Sequence, residues 1–231
     1  MNRFLPFLLI IAVLAVALGA GWYLKRKAVA PIAALPNANV SASPAAKPSG
    51  SIDPGAEPPH ALGPPDAPVT LEEFGDFECP PCGLLHPELK MIEREYGSRV
   101  RIIFREFPLV PTHAHALAAA HAAEAAGLQG KFWEMHDMLY ENQKAWHDAF
   151  DVRSIFEGYA TRIGLDLERF KRDSSSEIVE LRIFLDGKRG HSLDVKGTPT
   201  VFLNGREVPF ESLAIDKLRA LISAALPGTR P

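Results

Sequence analysis

Cysteine is nearly absent: the 231-residue chain has two, Cys79 and Cys82, three positions apart. With no further thiol, a framework of several disulfides is excluded, and so is a four-thiolate metal centre. A permanent bridge across so short a loop would remove little chain entropy, which makes a purely structural role for the pair weak. An excess of basic charge is lacking too. The 25 Lys and Arg residues face 28 Asp and Glu, a net of −3, so nothing points to a nucleic-acid partner. No Walker loop, dinucleotide-binding glycine motif or internal repeat occurs.

What is present centres on Cys79-Pro80-Pro81-Cys82. The stretch Pro68 to Glu78 reads as a strand with Val69, Leu71 and Phe74 buried. Gly83 to Tyr96 carries Leu84, Leu85, Leu89, Ile92 and Tyr96 at helical spacing. The cysteines therefore lie at a strand-to-helix junction. Pro80 and Pro81 fit a first helical turn, whose N–H groups have no intrahelical partner. Val100 to Phe104 predicts a second strand, and strand-helix-strand order implies a parallel βαβ unit. Far downstream, Val195 to Val208 reads as a loop, a strand, an Asn204-Gly205 hairpin turn and another strand, followed by a helix over Ser212 to Ala225. Between these halves the pattern is helical throughout 113–190. Segments are expected to end near Gly127 and to span Gly130 to Glu141, Asp151 to Ile163, Leu167 to Arg172 and Ser175 to Lys188.

Several separated motifs resemble the DsbA-like branch of the thioredoxin superfamily. They are Gly63 to Thr70, Phe74-Gly75-Asp76-Phe77-Glu78-Cys79-Pro80-Pro81-Cys82, Phe104-Arg105-Glu106-Phe107-Pro108-Leu109 and Gly197-Thr198-Pro199-Thr200. The resemblance implies an α/β thioredoxin fold over 61–228, with a helical insertion between its βαβ and ββα halves. It also implies a cis-proline at Pro199 beside the cysteines and backbone contacts from Thr198 to an extended substrate. A buried acid six residues before the first cysteine is implied as well. That places Glu73 as the proton-transfer group, with Glu72 as its competitor.

From the residues themselves, Cys79 at the helix start is the nucleophile and the more exposed thiol. Cys82, one turn in, is the resolving thiol. Pro80 and Pro81 tune the pair: they remove two N–H donors from the Cys79 thiolate, and Glu73, Asp76 and Glu78 would, if near, raise its pKa. The redox-active disulfide is the expected reactive group, with no other cofactor. His113, His115 and His121 read as solvent-facing helical histidines rather than a metal site. Phe132, Trp133, Met135, Met138, Leu139 and Tyr140 read as helical core.

The chain opens with an uncharged run from Phe4 to Leu24, long enough to span a bilayer at ~20 residues. Residues 1–27 thus form a transmembrane anchor, with a cleaved signal segment and secretion as the alternative. Lys25, Arg26 and Lys27 oppose export by the positive-inside rule, but long domains translocate largely regardless of such charge. Residues 28–60, rich in Pro and Ala, read as a disordered linker.

The expected function is thiol:disulfide exchange by a membrane-tethered, periplasmic enzyme. It would act as an oxidase on substrate proteins and be reoxidised by a membrane redox partner. A reductase of the same fold is the near alternative. A copper or zinc delivery protein using the cysteines is the alternative from another class.

Overall fold

The computed structural model describes residues 52–110 and 112–228. The expected membrane segment and most of the linker lie outside these residues. Among the described residues, no helix is long and apolar enough to cross a membrane.

Five strands, β1 (His60–Leu62), β2 (Val69–Gly75), β3 (Val100–Glu106), β4 (Thr200–Leu203) and β5 (Arg206–Val208), form one sheet in the order β1-β3-β2-β4-β5. β2 and β3 are parallel, with Val69 opposite Val100 and Gly75 opposite Glu106. They are joined by α1 (Pro80–Tyr96), the predicted βαβ unit. β4 pairs antiparallel with both β2 and β5. Asn204 (φ 47°) and Gly205 (φ 78°) make the β4–β5 turn in the left-handed region that a two-residue hairpin needs. After β5 the chain closes with α8 (Ile215–Ala225).

β2 is central and buried on both faces, so its alternating side chains feed two apolar layers. Val69 and Leu71 pack with Leu85, Leu89 and Ile92 of α1 and Leu218 and Ile222 of α8. Phe74 packs with Phe107, Val195 and Phe202. Between β3 and β4 stands the insertion: α2 (Ala116–Gly127), α3 (Phe132–Glu141), α4 (Gln143–Trp146), α5 (Val152–Arg162), α6 (Leu167–Asp173) and α7 (Glu177–Ser192). Its core gathers the alanines of α2 around Phe132, Met135, Leu139, Trp146 and Phe156. Asp151 and Asp166 cap α5 and α6 by accepting from Arg153 N and Arg169 N.

α1 starts at Pro80 with both prolines in its first turn, as expected, and the structure departs from the sequence reading in three places. α7 runs past the predicted stop at Lys188. A Cβ on Gly190 would lie 2.6 Å from the Phe107 ring, so this glycine permits close packing instead of ending the helix. β1 and α4 are short elements without a periodic signature.

The third departure concerns residues 52–59, expected as the end of the linker, which pack against the domain. Ala56 is fully buried. Arg105, itself buried, donates to the carbonyls of Ala56 (2.8 Å) and Pro54 (3.2 Å). Arg189 donates to Asp53 O at 2.9 Å, and Ala56 N donates to Asp186 at 2.8 Å. A Pro-rich composition describes what this segment lacks in core residues. It does not reveal that buried guanidinium groups elsewhere need its carbonyls.

Candidate active site

Cys79 is the N-cap of α1, with extended backbone, and Pro80 and Pro81 follow in the first turn. The turn that delivers it is built on Asp76. The Asp76 carbonyl accepts from Cys79 N at 3.1 Å. One carboxylate oxygen accepts from Glu78 N (2.8 Å), and the other from Leu109 N (2.8 Å) and His113 Nδ1 (2.7 Å). From the insertion, the Gln143 amide donates to the carbonyls of Phe77 (2.7 Å) and Cys79 (2.9 Å). Gln143 thus ties α4 to both sides of the turn. A Cβ on Gly83 would collide with that amide at 2.6 Å.

Both cysteines are free thiols. Cys79 is 4% exposed and Cys82 fully buried, so the expected order holds but the contrast is small. The Cys79 thiol donates to Thr198 O at 3.2 Å, across 119 positions of sequence. The Thr198–Pro199 peptide is cis, as the resemblance implied.

The two sulfurs are electrostatically unlike. The hydrogen bond from the Cys82 side chain does most to lower the Cys79 pKa, to about 6. Contacts from Thr198 and the Cys82 backbone N–H help, against burial and the Asp76 charge. Burial drives Cys82 the other way, well above the usual thiol range, with its bond to Cys79 and the nearby Glu73 adding to the effect. The expected penalty from acidic neighbours is therefore present but is outweighed.

Glu72 and Glu73 part company across the sheet. Glu72 meets Arg105 at 2.8 Å and Arg189 at 2.7 Å on the α7 side. Burial raises its carboxyl, but those two guanidinium groups outweigh it and hold the pKa down. Glu73 faces α1. Burial, and then the Cys79 charge, push it up to about 8, and its Oε1 has no hydrogen-bond partner. At neutral pH Glu73 is a protonated acid beside two sulfurs.

The histidines differ from expectation. His113 and His115 precede α2 rather than riding on it. The His113 side chain, 13% exposed, is bonded to Asp76, and His115 N donates to Glu78 at 2.5 Å. His121 does lie on α2 and pairs with Glu180 at 2.8 Å. These contacts serve the turn and the helix packing. A second constellation gives no sign in the sequence. His86 of α1 and His136 and Asp137 of α3 bring donor atoms within 4.8 Å of one another. Lys90 places its ammonium 2.7 Å from Asp137, so we read the cluster as an ion-pair network joining the two helices.

A family model described as thioredoxin matches residues 56–224. The chain belongs to the thioredoxin family. This thioredoxin-family domain has the fold of the DsbA-like thiol-disulfide oxidoreductases. BdbD from Bacillus subtilis, in its oxidised form, superimposes with a TM-score of 0.65 at 24% identity, over 74% of this chain and 94% of that one. The thiol-disulfide exchange protein α-DsbA2 from Wolbachia pipientis gives a TM-score of 0.61 at 20% identity, over 72% and 86%. Among curated proteins, the Na(+)/H(+) antiporter NhaA 1 of Salinispora arenicola is 41% identical over 179 residues, 78% of this chain. The match covers 26% of that relative, so the chain spans about a quarter of its length.

Proposed function

We propose that this protein is a membrane-tethered thiol:disulfide oxidoreductase that passes its Cys79–Cys82 disulfide to proteins outside the cytoplasm. The observation that carries the reading is the placement of the pair: Cys79 caps the start of α1 with its sulfur against Thr198 O, while Cys82 is fully buried one turn in, so the first thiol is lowered to about 6 and the second raised well above its usual range. A stabilised thiolate stabilises the reduced enzyme, which makes the disulfide an oxidant. Substrate thiolate attacks Cys79 Sγ, the Cys79–Cys82 bond breaks, and Cys82 leaves as a thiolate that takes a proton from Glu73. A second substrate thiolate then displaces Cys79, and the substrate keeps the disulfide. Thr198 and Pro199, against the Cys79 sulfur, hold the extended substrate segment. Reoxidation, a two-electron step, falls to a membrane redox partner.

Favouring oxidation over reduction is the Cys79 pKa, low despite two prolines. Against copper or zinc delivery stands the local chemistry: the Cys79 thiol is hydrogen-bonded to Cys82 and to Thr198, and the one constellation of three donor side chains among the described residues includes neither cysteine. The membrane location is supported by the apolar run Phe4 to Leu24 and by the similarity to a stretch of proteins named as antiporters. Cys82→Ser should accumulate mixed disulfides on Cys79 in cells, and Cys79→Ser few; the reverse pattern exchanges their roles.

A further inference from the structure

Beside Glu73 lies a cavity of about 20 Å³ bordered by Glu73, His86, Lys90, Glu93, Trp133 and His136. By this measure one water needs roughly 10–15 Å³ and at least two polar partners. Two partners are at hand. Glu73 Oε1 and His136 Nε2 are both buried, neither has a hydrogen-bond partner, and both residues line this cavity.

The protonation pattern fits one chain of donors. His136 Nδ1 lies 3.1 Å from Asp137 Oδ1, which also meets His86 Nε2 at 3.0 Å, while Asp137 Oδ2 takes the Lys90 ammonium at 2.7 Å. Burial works upward on Asp137, but the bonds from His136, His86 and Lys90 hold its carboxyl far below the usual range. An ionised carboxylate only accepts, so His136 carries its proton on Nδ1 and offers a lone pair at Nε2. Burial lowers the His136 pKa to about 4, which keeps the ring neutral.

We propose that the cavity holds one water bridging Glu73 Oε1 and His136 Nε2, and that His136, oriented by Asp137, is the positioning residue through which Glu73 exchanges its proton with solvent. Glu73–OH donates to the water, the water donates to Nε2, and Nδ1–H points to Asp137, whose side chain is 25% exposed. As the ring takes a proton at Nε2 it gives the one on Nδ1 to Asp137 Oδ1, and the partly exposed Asp137 carboxyl releases it to solvent. The groups facing Glu73 are Cys79, Cys82, His86, Lys90 and Glu93 of α1 and His136 and Tyr140 of α3. Its sheet neighbours Phe104 and Val201 carry no charge.

The proposal rests on the exchange reading above and concerns the reoxidation half. In the reduced enzyme Glu73 is protonated. Once Cys79 has attacked glutathione disulfide and released one glutathione thiolate, the Cys79 charge is gone. Glu73 must then lose its proton before it can accept that of Cys82. Next Cys82 Sγ attacks Cys79 Sγ, the Cys79–Cys82 bond forms, the bond to the remaining glutathione breaks, and that glutathione leaves as a thiolate with the electron pair.

The test is the closing rate of this adduct between pH 5.5 and 8.5, followed by acid quench, with Cys79 alkylation as the control for folding. His136→Gln should slow closing about tenfold near pH 6.5. In a Glu73→Gln background the same change should add nothing. Asp137→Asn, which takes the carboxylate from Nδ1, should slow closing as well and serves if His136→Gln does not fold. A closing rate within about twofold of wild type in either variant overturns the relay, and so does equal slowing with and without Glu73, the mark of a merely structural role. Failure of wild-type protein to form the glutathione adduct at all overturns the exchange reading itself and this proposal with it.

Discussion

Glu72 and Glu73 are neighbours in β2, yet the pleat sends them to opposite faces and opposite charge states. Glu72 is fixed as a carboxylate by Arg105 and Arg189, while Glu73 is raised to about 8 beneath the cysteines. One links the sheet to α7 and to the segment at 52–59; the other is a buried carboxyl beside the cysteines.

This difference makes stability depend on pH with a definite sign. The Glu73 pKa is raised from 4.5 to about 8 in the folded protein, so the unfolded chain gives up this proton first. Its contribution is fully present below about 4.5 and is lost as pH rises to about 8, on the order of 5 kcal/mol at most. Cys79, lowered from 9.0 to about 6, works oppositely between those values. Subtracting Glu73→Gln from wild type isolates the first effect. In urea unfolding of the reduced proteins the variant should gain on wild type steadily from pH 4.5 to 8.5, and a pH-independent difference would show that Glu73 titrates normally.

Gln143 satisfies the carbonyls on both sides of the active-site turn. Gln143→Ala should cost about 1–3 kcal/mol by leaving them unpaired. It should also change the alkylation rate of Cys79, because the turn is no longer clamped to α4. Chemical denaturation checks the first effect and stopped alkylation the second. A loss under about 0.5 kcal/mol would mean that the turn holds itself.

Pro81→His restores one N–H and adds a group that can be cationic beside Cys79, both of which favour the thiolate. The alkylation midpoint of Cys79, about 6 in wild type, should fall. One unit corresponds to about 1.4 kcal/mol, or about 30 mV for a two-electron couple, in the oxidising direction. An unchanged midpoint and potential would place the control with Cys82, Thr198 and Glu73 instead.

The legible parts of this molecule are those encoded locally. The Cys79-Pro80-Pro81-Cys82 junction, the α1 stripe and the Asn204-Gly205 turn each carry their pattern within a few residues. Pro80 and Pro81 could be weighed for the N–H groups they remove, but not the contact from Thr198, 119 positions away. Nothing near Gln143 reveals that its amide reaches Phe77 and Cys79. His136 and Asp137 carry no local pattern that sets them apart until α3 is seen against α1. The 52–59 segment is polar and Pro-rich, and only Arg105 and Arg189 explain its place. Each of these depends on pairing between distant segments, which hydrophobic periodicity does not record.

The central claim is that a stabilised Cys79 thiolate makes the disulfide an oxidant. Equilibrating the protein with a series of glutathione ratios at pH 7, then trapping thiols with a mass-tagged maleimide, measures it directly. The reduction potential should lie well above the roughly −270 mV of thioredoxin, toward the range of about −120 to −180 mV spanned by known protein oxidants and isomerases. A value at or below about −270 mV would contradict it and make the protein a reductase.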